Sequence, residues 1–99
     1  RLGQLNLPYA LTVGPDGNFY VCDSGNDRMQ IFSPAYEPLA EWGYEGTGEG
    51  EFDLPWGVAV DPEGHVYVAD SLNDRIQKFA PSLLPVKATT WGRIKADTP

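Results

Sequence analysis

Residues 54–81 read LPWGVAVDPEGHVYVADSLNDRIQKFAP. Gly57-Val58-Ala59-Val60 is a short apolar run that stops at Asp61-Pro62, and Glu63-Gly64-His65 supplies turn residues. Val66-Tyr67-Val68-Ala69 is β-branched and aromatic, the composition of a strand. Residues 70–74 are polar and break it, and Arg75-Ile76-Gln77-Lys78-Phe79 resumes a strand pattern. No stretch sustains the 3.6-residue period of a helix. The segment is a meander of short strands.

The same pattern stands 47 residues earlier, where Leu7-Pro8 corresponds to Leu54-Pro55. Identical pairs include Val13/Val60, Gly17/Gly64, Tyr20/Tyr67, Asp23/Asp70, Asn26/Asn73, Arg28/Arg75, Gln30/Gln77 and Phe32/Phe79. Tyr9/Trp56, Phe19/Val66 and Met29/Ile76 are conservative. The match extends back to Gly3 against Gly50. After a two-residue insertion it extends forward to Trp42-Gly43 against Trp91-Gly92, so each unit closes with a fourth short strand. A period in the forties suits propeller blades and some helical arrays, and the strand chemistry selects the former. The fold class is all-β: two four-stranded antiparallel blades. The small residues of the first strand suit the taper at a propeller axis, and Trp42 and Trp91 suit the wider outer gap.

The repeated stretch resembles the NHL repeat, with its hallmark P-x-G-[VI]-A-V-D-x-x-G-x-[VI]-Y-V-[AT]-D-[ST]-x-N-x-R-[IV]-Q-x-F. The second unit matches nearly every position, and the first departs at Ala10, Leu11, Thr12, Gly14 and Cys22. The resemblance implies a β-propeller, usually of six blades. It divides the chain into a first blade over residues 1–45, a second over 46–92 and a tail over 93–99.

Asp23 and Arg28 flank the turn between the second and third strands, as Asp70 and Arg75 do in the second unit. Each pair is expected to meet across its hairpin and set the register. Asn26 and Asn73 suit a left-handed turn position, and Gly17 and Gly64 a tight turn. Recurrence in both units marks Asp23, Asn26, Arg28, Asp70, Asn73 and Arg75 as a structural motif. The one cysteine, Cys22, forms no disulfide within the chain and falls at an apolar strand position, where it reads as buried core.

Net charge is −7, and ten acids lie between Arg28 and Arg75 with no Lys or Arg among them. The sign reverses toward the end with Lys78, Lys87, Arg93 and Lys95. A nucleic-acid footprint needs clustered basic residues, so nucleic acid and anionic membrane surfaces are not expected partners. No apolar run approaches membrane-spanning length. The chain begins at Arg1, which reads as processing, truncation or a fragment, and leaves localisation open.

Residues 43–54 carry a G-x-G-x-G pattern, but no helix pattern follows and the four acids would repel phosphate. The spacing does not match a calcium loop either, so the segment reads as a flexible inter-blade connector. It should share one face with the loop between the second and third strands. Tyr9 and Trp56 open the innermost strands there, beside the channel mouth. The contact candidates are Tyr9, Trp56, Arg28, Arg75, Glu49 and Glu51.

Some enzymes resemble this family, such as the amidating lyase that holds zinc with several His, but here His65 is the single histidine and sits at a turn. There is no CxxC, nucleophile elbow or P-loop lysine. No catalytic, metal or cofactor residue is assigned. The expected role is a protein-binding or assembly scaffold. The alternative is a piece of a larger NHL-type propeller enzyme, lyase or hydrolase-like, with its active site on other blades. Two blades cannot close a ring. Further blades are expected from the same chain or from two more copies in a homotrimer. The tail lacks the Gly-rich connector that follows Gly43, which reads as the end of the array.

Overall fold

The computed structural model describes residues 2–80. The fourth strand expected to end at Trp91, the tail, and Lys87, Arg93 and Lys95 lie outside the described residues.

The first sheet is β1 (Pro8–Val13), β2 (Phe19–Asp23), β3 (Arg28–Phe32) and β4 (Pro38–Trp42), hydrogen-bonded in chain order. The second is β5 (Pro55–Val60), β6 (Val66–Asp70) and β7 (Arg75–Phe79), also in chain order. All pairings within the two sheets are antiparallel, as short polar turns between strands require. The turn between the first two strands needs a left-handed residue, and Gly17 (φ +83°) and Gly64 (φ +90°) supply it.

Strand alternation gives each sheet two faces. Tyr20, Cys22, Met29, Ile31, Ala40 and Trp42 of the first sheet meet Val66, Val68 and Phe79 of the second, with Phe52 wedged beside them, and all are buried. Burial of each large apolar side chain contributes roughly 1.5–3 kcal/mol. Near the axis β5 lies against β1 and β2. Farther out Trp42 meets Phe79 edge-on at 5.4 Å and fills the gap. Burial pushes the Cys22 thiol up to about 12, which keeps it an inert core group.

The two first turns reach the same end differently. Tyr20 donates its hydroxyl to Asp16 (2.7 Å), whereas its counterpart Tyr67 donates to Asp61 (3.0 Å). Gly14 stands where the second unit has Asp61, and a Cβ there would lie 2.5 Å from the Tyr20 ring and 2.9 Å from the Asp16 carboxylate. Asp16 fills the space that Asp61 fills in the other blade, so Gly14 must stay small.

Candidate binding face

The repeated polar residues converge on one buried carboxylate per blade. Asp23 Oδ1 accepts the Asn6 amide (2.7 Å). Its Oδ2 accepts Asn26 Nδ2 (3.0 Å), Arg28 Nε (2.7 Å) and Gln30 Nε2 (3.1 Å). Asp70 repeats this with the Asp53 amide (2.7 Å), Asn73 (2.9 Å), Arg75 (2.9 Å) and Gln77 (3.1 Å). Asp23 lies directly opposite Arg28 and Asp70 opposite Arg75, so the expected cross-hairpin pairs form. Burial alone would push the Asp23 carboxyl up. The Asn6 amide, Asn26, Arg28 and Gln30 outweigh it and hold Asp23 below the ordinary carboxylate value.

Each hub ties down the segment that leads into the innermost strand. Gln30 takes the Gly3 amide (2.8 Å) and donates to the Gln4 carbonyl (2.8 Å). Gln77 does the same with Gly50 (2.9 Å) and Glu51 (2.7 Å). Arg75 adds the carbonyls of Thr47 (2.8 Å), Gly48 (2.7 Å) and Glu51 (2.8 Å), and Asn73 adds that of Gly46 (2.8 Å). The connector read as flexible is therefore clamped, its backbone amides and carbonyls satisfied by Asn73, Arg75 and Gln77 of the second blade. The Asp27 carboxylate takes the Leu54 amide (2.8 Å), and the Ser24 hydroxyl donates to the Pro55 carbonyl, so the first blade holds the start of the second.

One expectation is corrected. The left-handed residue after each 3-10 turn is Asp27 or Asp74 (φ 52°), not Asn26 or Asn73. Each Asn instead ends its 3-10 turn and spends its amide on the hub carboxylate. Asp also tolerates the left-handed region through its short polar side chain.

Leu7 (φ 52°) and Leu54 (φ 57°) also take left-handed backbone, an unfavourable choice for a leucine before proline. Both strands then bulge: Pro8 faces Asp23 and Ala10 faces Cys22, leaving Tyr9 as the extra residue, and Trp56 is its equivalent. Bulges re-aim a side chain out of the sheet. They bring Tyr9 and Trp56 together edge-on at 5.4 Å, with 57% and 53% of their surfaces exposed. The two leading candidates thus form one aromatic pair across neighbouring blades. The bulge and the leucine strain carry no composition signal, so the sequence pointed to the rings but not to their pairing.

The other candidates are placed as follows. Arg28 is buried, with nitrogens on Asp23, Glu41 (2.6 Å) and the Gln4 carbonyl. Arg75 is half-buried over the connector. Glu51 accepts the Gly48 amide (3.0 Å), and Glu49 is exposed. Sequence reasoning passed over Leu7, Tyr44 and Leu72, which are exposed on segments at this same end.

At the opposite end, Asp61, Glu63 and His65 bring one ligand atom each within 4.8 Å of one another. The Asp61 carboxylate is already committed to the Glu63 and His65 amides, the Tyr67 hydroxyl and His65 Nδ1 (3.0 Å), a turn-closing set. Partial burial pushes Asp61 up, but the His65 and Tyr67 contacts prevail and lower it.

Comparison with curated proteins finds no match. The NHL repeat profile matches residues 5–32 and 52–79, each spanning the hub aspartate and its Asn, Arg and Gln partners. The chain belongs to the NHL repeat family, as two tandem blades of the β-propeller type.

Proposed function

We propose that the end of the blades bearing Tyr9 and Trp56 is a protein-docking face, making this chain a binding or assembly platform. The exposed aromatic pair, held up by two bulges and two left-handed leucines, is the observation that carries the reading. Bulges and local strain collect where a side chain is aimed at a ligand, and Tyr and Trp dominate the energetics of protein interfaces. The arginines of this end are turned onto their own carboxylates and carbonyls, while Glu49 is exposed. A peptide with an apolar or aromatic anchor beside Lys or Arg suits this combination. An array of such peptides, probed with the chain and with a Tyr9→Ala/Trp56→Ala variant, tests it. The expected result is binding at micromolar concentrations that the double variant lowers at least tenfold while its circular dichroism is unchanged. Binding indifferent to both rings overturns the reading.

A further inference from the structure

The contact between the blades is head-to-tail: the Cys22–Met29 face of the first meets the Val66–Phe79 face of the second. Among the described residues the counterpart of each half is left open. On the first blade Leu5 is 42% exposed where its equivalent Phe52 is fully buried. On the second Ile76 is 53% exposed where Met29 is fully buried. Each open face carries an apolar groove. One of about 290 Å³ is lined by Leu5, Leu11, Phe19, Val21, Phe32 and Tyr36. The other, of about 220 Å³, is lined by Gly57, Val58, Ala59, Tyr67, Ala69 and Ile76.

The two open faces differ from the joined ones in compensating directions. On the second blade, Gly57, Ala59 and Ala69 replace the larger Ala10, Thr12 and Cys22. On the first blade, Leu11 and Phe19 replace the smaller Val58 and Val66, a gain that outweighs the loss where Leu5 replaces Phe52. A shallower face is thus matched to a fuller one, as conserved packing volume requires. Lys78 takes the place of Ile31, and its ammonium rests over the Tyr67 ring, 5.8 Å from the centroid, near the turn end of the face. Faces destined for unrelated blades need no such mutual fit.

We propose that the open face of the second blade docks on the open face of the first blade in another copy of this chain, repeating the internal contact until a ring closes. This deepens the docking reading above and rests on it: the Tyr9–Trp56 pair becomes one arc of a mouth that neighbouring copies extend. A heterologous contact yields a closed ring when its rotation closes. Three copies, about 33 kDa from a 10.9 kDa chain, give six blades.

Light scattering on a sizing column, with circular dichroism on the same sample, tests this for the 99-residue chain. Leu11→Glu blocks one face and Ile76→Glu the other, and neither side chain belongs to the contact between the blades. The expected result is a discrete oligomer near 33 kDa for the parent and a folded monomer for each variant. An equimolar mixture of the variants should give a 1:1 pair near 22 kDa, because each retains the face the other lacks. A folded parent that stays monomeric, a parent that is unfolded or polydisperse, or a mass unmoved by either substitution overturns the proposal. Tyr9→Ala/Trp56→Ala should leave the mass unchanged, so loss of peptide docking and loss of assembly are read separately.

Discussion

At the residue scale, Asp23 gathers four donors from three segments of the first blade onto one carboxylate. Its carboxylate is fully buried and receives four hydrogen bonds, so its loss takes one partner each from Asn26, Arg28, Gln30 and the Asn6 amide. Asp23→Ala should cost about 3–5 kcal/mol, the range for removing one partner of a buried ion pair. Asp70→Ala should cost less, since Arg75 is nearer to water and can turn to it. The lowered Asp23 pKa also fixes a sign. A carboxyl depressed on folding stabilises fully above its unfolded value, about 3.9, and loses that contribution as pH falls through the folded value. Urea midpoints measured between pH 6 and pH 2.5 should therefore fall on acidification, and Asp23→Asn should flatten that limb. Cys22 tests the core in another way. With the thiol buried and raised to about 12, a thiol reagent at pH 8 should label it only after denaturant is added. Labelling of the native chain at the unfolded rate would contradict this burial.

At the element scale, the two blades are an internal control, because equivalent positions differ mainly in what covers them. Phe52 is wedged between blades against Phe79 (5.8 Å), and a Cβ on Gly43 would lie 2.4 Å from its ring. Leu5 holds the same place with no blade over it. Phe52→Ala should cost about 3–5 kcal/mol in chemical denaturation, whereas Leu5→Ala should cost under about 1 kcal/mol at a dilution where copies are separate. Similar losses at both positions would mean that the blades do not share a core. The same comparison explains what the sequence disclosed. Strand order, the Asp23–Arg28 register and the burial of Cys22 follow from spacing and alternation, which the repeat states twice. The left-handed residue was misassigned because Asn26 spends its amide on the Asp23 carboxylate three residues back, which leaves the left-handed position to Asp27. The clamped connector was hidden for another reason. Its partners, Asn73, Arg75 and Gln77, lie some 25 residues downstream and belong to a motif that read as complete within its own hairpin.

At the scale of the whole molecule, charge and apolar surface pull in opposite directions. The chain carries −7, and copies placed face to face repel one another over the distance that salt leaves unscreened. That distance is about 30 Å at 0.01 M ionic strength and about 8 Å at 0.15 M. The contact proposed between copies is made by Leu11, Phe19, Ala69 and Ile76, which salt does not weaken. Added sodium chloride should therefore strengthen association, moving the midpoint of the monomer–oligomer transition to lower protein concentration. Association linked to folding also makes the melting temperature rise with protein concentration. A docked Lys- or Arg-bearing peptide should respond in the opposite sense, because its attraction to the acidic end is screened. Sedimentation of the chain alone and fluorescence titration of the peptide, run across the same salt series, should give slopes of opposite sign. Equal signs would place the same electrostatic term in both contacts, and the apolar faces would then not be what joins the copies.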